Sequence, residues 1–146
     1  MALFKFTRAM LAGETIDIYN HGKMMRDFTY IDDLIEGLVR VTSAVPSHEE
    51  GAPRFKEDSL SLQAPFRIVN IGGGNPRPLM DYVAALETAL GVTAKKNFTD
   101  IVKGDVLVTH ASSDLLHQLI GDMPFTNIDA GISKFVTWYK DYYDHV

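Results

Sequence analysis

Helical and extended stretches alternate along this chain, separated by glycine and proline, and the alternation predicts an α/β layered fold. Two patterns carry the prediction: apolar residues recur at helical spacing in four long segments, and at alternate positions in shorter segments between them. With 146 residues, 46% of them hydrophobic and 23% charged, the chain has the length and composition of one globular domain, read as residues 1–146.

The opening residues place Leu3, Phe4, Phe6, Met10 and Leu11 on one face of a helix over 2–12, with Gly13 as its stop. Residues 15–19 alternate as a short strand, and Asn20-His21-Gly22 is turn chemistry. A second helix is predicted over 31–44. Its buried stripe is Ile31, Leu34, Ile35, Leu38, Val39 and Val41, and Asp32 and Asp33 sit in the first turn, where the helix dipole favours carboxylates. Residues 46–65 follow neither period and read as an exposed loop. Residues 66–71 read as a strand ending in Gly72-Gly73-Gly74, followed by a helix over 78–90 that Pro78 opens and Gly91 closes. Strands are predicted at 92–97 and 106–108, and a short helix capped by Ser113 runs to 120. In the last helix, 129–143, Phe135, Trp138, Tyr139, Tyr142 and Tyr143 are expected in the core.

Composition excludes several functions. There is no cysteine, so disulfides and thiolate metal sites are ruled out, and the five histidines lack ligand spacing, so no metal site is expected. A net charge of −5 argues against a nucleic-acid partner. No apolar run approaches the ~20 residues of a membrane span, and no secretory signal is present, so the expected compartment is the cytoplasm.

Two motifs that suggest catalysis do not carry it. Tyr19 and Lys23 have the Tyr-x-x-x-Lys spacing, but the Asn-His-Gly between them is a turn, so the two side chains would not align on a helix. Gly72-Gly73-Gly74-Asn75-Pro76 lacks the third glycine of a dinucleotide fingerprint and has proline where an amide should meet phosphate. No catalytic or cofactor-binding residue is therefore expected. The informative stretch is YNHGKMMRDFTYIDD, in which Arg26 precedes an aromatic turn that opens a helix. Its guanidinium either meets an anion such as a phosphate or forms a surface pair with Asp27 or Asp32, and physics alone leaves both readings open.

The pieces MALFKFTRAML, IDIYNHGKMMRDFTYIDDLIEGLVR, RIVNIGGGNPRPLMDYVAALETALG, GDVLVTHASSDLLHQLIG and FVTWYKDYY, in that order, resemble the C-terminal region of extended short-chain dehydrogenase/reductases acting on nucleotide sugars. Within that group they are most similar to the UDP-glucuronate 4-epimerases. The resemblance implies the substrate-binding portion of such an enzyme: a small sheet with several helices, with the Rossmann half missing. It also implies that Arg26 contacts the UDP diphosphate. Tyr19 and the 2–4 segment, Leu3 included, would lie near the uracil, and Asp105 with Lys103 would reach the ribose or phosphates. NAD would belong to the intact protein and not to this chain alone, which is expected to be inactive. The implied partners are a UDP-sugar and the absent half, and an uncovered docking face would favour self-association. Relatives place Arg or Gln and then Pro where this chain has Val102-Lys103, Pro at Leu107 and Asp at Ser112. A non-catalytic UDP-sugar-binding module and a degenerate fragment remain open, as do a decarboxylase or dehydratase within the class.

Overall fold

Helix α1 (Ala2–Leu11) stops because Gly13 adopts φ 68°: its N–H reaches Met10 O and that of Glu14 reaches Ala9 O, closing the orphan carbonyls of the last turn. The computed structural model describes residues 2–49, 52 and 54–143. By contact the chain groups into two compact units. One is built from the residues up to Arg26, Pro76–Thr109 and the residues from Asn127 on; the other is Asp27–Asn75 with His110–Thr126.

In the first unit, β1 (Thr15–Ile18) buries Ile16 and Ile18 and exposes Thr15 and Asp17, as its alternation predicts. It pairs in parallel with β4 (Lys95–Phe98), where Asp17 faces Asn97 and accepts its side-chain amide at 2.8 Å. Helices α3 (Leu79–Leu90) and α5 (Ile128–Tyr142) pack together over Val83, Leu86, Leu90, Ile132, Val136 and Tyr139. Burial of a side chain such as Leu86 stabilises by about 1.5–3 kcal/mol. Asn127 caps α5 by accepting Ala130 N–H at 2.9 Å, two positions before the predicted start. A second ribbon, absent from the sequence reading, joins β2 (Met25–Arg26) antiparallel to β3 (Arg77–Pro78). The strand expected at 106–108 shrinks to one parallel bridge between Val108 and Met25.

The aromatic helix departs from expectation. Tyr139 is buried and Phe135 meets Phe4 edge-on at 5.0 Å, but Trp138, Tyr142 and Tyr143 are exposed. The face turned to α3 carries Ile132, Val136 and Tyr139, and Trp138 and Tyr142 stack on each other outside it.

In the second unit, helix α2 (Ile31–Val41) reverses its predicted orientation. Ile31, Leu34, Ile35, Leu38 and Val39 are all exposed, and Gly37 is the residue it buries. Asp33 and Gly37, one turn apart, hold the opposite face inward. Asp33 accepts Thr126 N–H at 2.6 Å and Thr126 Oγ1 at 2.8 Å, while Gly37 lies so near Ile71 that a Cβ there would sit 2.9 Å from Ile71 Cγ2.

The strand expected at 66–71 does not form. The segment has no partner strand among the described residues, and Ile68 N–H and C=O are both met by the Ser59 hydroxyl. Ser113 precedes α4 (Asp114–Ile120) but does not cap it with its side chain. Its buried hydroxyl is spent on Gly72, donating to the carbonyl at 2.6 Å. The 46–65 loop is also better tied than its composition suggests. Asp58 forms a two-bond ion pair with Arg67, each side chain no more than a tenth exposed, and Lys56 N–H donates to Gln118 of α4. No helix among the described residues is long and apolar enough to cross a membrane.

Candidate functional site

All five candidate residues fall in the first unit, on four separate stretches of chain. Leu3 lies half-buried in α1. Tyr19, 42% exposed, opens the turn after β1. Arg26 ends β2, and Lys103 and Asp105 belong to the exposed turn that follows β4.

The turn Tyr19–Gly22 delivers the chain from β1 to Arg26 at a conformational cost. Asn20, His21 and Gly22 all take positive φ, at 48°, 50° and 75°. For the two non-glycine residues this costs roughly 1–2 kcal/mol each. Local bonds offset it: Asn20 Nδ2 donates to Lys23 O at 2.9 Å, His21 N–H donates to Thr99 O at 3.1 Å, and the His21 ring meets Asp100 at 3.1 Å. Gly22 is also required sterically, since a Cβ there would lie 2.8 Å from Met80 Sδ. Because this is no α-helix, Tyr19 and Lys23 are not aligned as a catalytic tyrosine–lysine pair. Burial pushes the phenols of Tyr30 and Tyr82 above their ordinary range, away from the tyrosinate a base would need.

Arg26 is held on two sides. Its Nη1 donates to Met25 O at 2.9 Å and Leu107 O at 3.3 Å, carbonyls fixed by the ribbon. Its Nη2 donates to Asp105 Oδ1 at 2.9 Å and touches Met24 Sδ at 3.3 Å. The side chain is 20% exposed, and that of Asp105 33%. The acid that meets Arg26 is thus 79 residues away, and the pairing with Asp27 or Asp32 considered from sequence is not the ion pair formed. The structure joins Arg26 and Asp105. It forms no hydrogen bond from Tyr19 or Lys103 to that pair among the described residues.

Asp27 has a structural task that the sequence reading missed. Its carboxylate accepts Gly74 N–H at 3.1 Å, Asn75 N–H at 3.3 Å and Ala111 N–H at 3.1 Å. The signal was the glycine run itself. A Cβ on Gly73 would sit 3.2 Å from Asp27 Oδ1, and one on Gly72 would sit 2.9 Å from the Ala111 Cβ. This arrangement also tests the run as a dinucleotide cradle. Two of the amides that would face a phosphate are taken by a carboxylate, whose charge would repel that phosphate, so these residues do not fit the pyrophosphate of NAD. No group of three His, Cys, Asp or Glu suited to a metal ion exists among the described residues. A concavity of about 290 Å³ lined by Arg40, Ser43, Ala44, Leu119 and Ile120 belongs to the second unit and contains none of the candidate residues.

Comparison with known proteins gives a consistent set of likenesses. The chain is 49% identical over 144 residues to a Rhizobium meliloti protein named "Probable UDP-glucuronate 4-epimerase", covering 98% of this chain and 42% of that protein. It is 40% identical over 148 residues to UDP-glucuronate 4-epimerase 4 of Arabidopsis thaliana, covering 98% of this chain and 32% of that one. Among solved structures, the UDP-glucuronic acid 4-epimerase of Bacillus cereus in complex with UDP-glucuronic acid and NAD matches 98% of this chain and 40% of its own, with a TM-score of 0.75 and 27% identity. The chain therefore spans less than half the length of the proteins it matches. Residues 1–54 match the family described as the NAD dependent epimerase/dehydratase family, and the whole chain has the α/β fold of one part of such epimerases.

Proposed function

We propose that this chain is the UDP-sugar-binding portion of an NAD-dependent UDP-sugar 4-epimerase of the UDP-glucuronate type. The observation that carries the reading is the placement of Arg26. Its guanidinium is anchored on one side by main-chain carbonyls and presents the other side to a carboxylate on an exposed turn, where an anion can replace that carboxylate. A guanidinium so held suits a phosphate group of a diphosphate, because its Nη2 side can give a charge-assisted bond without further ordering of the arginine. Asp105 and Lys103 would serve the ribose or phosphates, and Tyr19 and Leu3 the uracil.

NAD and the base that moves the proton are supplied from outside these residues, since the glycine run does not fit the cofactor's phosphates and Tyr19 and Lys23 are not aligned as a pair. The exposed stripe of Ile31, Leu34, Ile35, Leu38 and Val39 is the face offered to that NAD-binding half. The matched relatives have more than half their length outside the region this chain covers, which supports such a partner.

Titration of UDP into the chain tests the proposal. Saturable binding is expected, and Arg26→Ala should weaken it by roughly 1.5–3 kcal/mol, the worth of a bond to a charged group. Unchanged affinity in that variant refutes the role of Arg26. UDP-glucuronate incubated with the chain and NAD should remain unconverted.

A further inference from the structure

The cation proposed to receive the diphosphate already holds an acid, and the two ends of its guanidinium differ in kind. Nη1 is bound to the carbonyls of Met25 and Leu107. Met25 lies in the ribbon, and Leu107 is tied to it, since Leu107 O also accepts Met25 N–H at 2.9 Å. That end is fixed. Nη2 is bound to Asp105, which stands on a turn closed by one hydrogen bond from Asp105 N–H to Val102 O at 3.0 Å, with Gly104 at φ 91°. Every residue from 101 to 108 is exposed. That end is held by a side chain with room to move.

We propose that Asp105 is a latch on Arg26, which an anionic ligand must displace and which then selects for a nucleoside diphosphate over a bare diphosphate; this inference rests on the UDP-sugar reading above. Nη2 also touches Met24 Sδ at 3.3 Å, so a phosphate oxygen bonded there would lie against the Asp105 carboxylate, and like charges at that distance repel and compete for that end of the guanidinium. The carboxylate has to turn out. In doing so it gives up the Arg26 bond, and among the described residues the Val106 N–H, which it accepts at 2.9 Å, is the other side-chain partner. A ligand that also brings a vicinal diol gives Asp105 two new hydroxyl donors and offsets the loss, whereas inorganic pyrophosphate offers none. With no ligand bound, the latch keeps a half-buried guanidinium neutralised and closed to monovalent anions.

The test measures inorganic pyrophosphate and UDP binding by titration calorimetry on four forms of the chain: unaltered, Asp105→Asn, Asp141→Asn and Arg26→Gln. Asparagine keeps a hydrogen-bond acceptor toward Nη2 and removes the charge. Asp105→Asn is expected to bind pyrophosphate about two- to fivefold tighter, the range of a partly exposed ion pair. Its affinity for UDP should rise less or fall. Asp141→Asn, an equal change in net charge at an exposed position of α5 in the same unit, should leave pyrophosphate binding unchanged. Equal gains in the two asparagine variants, or none in Asp105→Asn, overturn the latch while pyrophosphate binding that depends on Arg26 still upholds the anion site. If Arg26→Gln binds pyrophosphate as the unaltered chain does, the anion site and the latch both fall. Circular dichroism of each variant separates loss of binding from loss of fold.

Discussion

Replacing Asp27 tests the role given to it in the second unit, because its two oxygens serve three amides unequally. Oδ2 accepts from Gly74 at 3.1 Å and Ala111 at 3.1 Å, and Oδ1 accepts from Asn75 at 3.3 Å. In Asp27→Asn the side-chain amide can orient so that its one oxygen keeps the Gly74 and Ala111 bonds. Its NH2 then faces Asn75 N–H, donor against donor. The loss is one charge-assisted bond plus weakening of two others, about 1–3 kcal/mol given that the site is partly open to water. Asp27→Ala loses all three and should cost about 2–4 kcal/mol, less than the sum of three buried bonds because water reaches the freed amides. Amide hydrogen exchange followed by NMR reads this residue by residue. In the asparagine variant, Asn75 should exchange faster by roughly tenfold while Gly74 and Ala111 change little, and in the alanine variant all three should accelerate. Retained protection of Asn75 in Asp27→Asn, or a like response of all three amides in that variant, refutes this division of bonds between the two oxygens.

Two acids predict an acid-sensitive stability. The hydrogen bond from Lys96 holds Glu87 below the usual carboxylate range, and that from Arg67 does the same for Asp58. Each lowered pKa adds stability that is present above the unfolded value, near 4, and is lost as pH falls through the folded value, so the urea midpoint should decline below about pH 4 and flatten above about pH 5. Lys96→Met should reduce the Glu87 part of that decline, leaving what the bond from Ala94 N–H contributes. Gly22→Ala adds a Cβ at 2.8 Å from Met80 Sδ to a positive φ and should cost about 2–4 kcal/mol in denaturant melts, while Gly13→Ala, with φ 68° and nothing within 4 Å, should cost only about 1. Equal costs would show that the contact with Met80 is irrelevant. Leu38→Glu on the exposed face of α2 should reduce light scattering at high concentration without lowering the unfolding midpoint, and unaltered scattering would mean that this face drives no association.

The elements legible in sequence were those whose signals are local. Gly13 and Gly91 end α1 and α3 because left-handed backbone at a helix stop is a property of one residue and its neighbours. The alternation of Ile16 and Ile18 was decided by a single buried face. Strand 66–71 carried the same composition signal and failed, since a strand needs a partner, and the Ser59 hydroxyl took the bonds of Ile68 instead. The ribbon of β2 and β3 could not be read, because two-residue strands have no period.

The candidate site divides in the same way. Arg26 stood out from its neighbours in YNHGKMMRDFTYIDD, and composition alone excluded thiolate metal sites. Which acid meets it was decided by a contact over 79 residues, which no spacing rule contains. The outward turn of the apolar stripe of α2 is a tertiary decision too. The helical period shows that Ile31, Leu34, Ile35, Leu38 and Val39 share a face, but not which way that face points. Asp33 bonded to Thr126, and Gly37 against Ile71, fix the opposite face inward. Amphipathic spacing determines which residues lie together; the direction they face depends on what the rest of the chain brings to meet them.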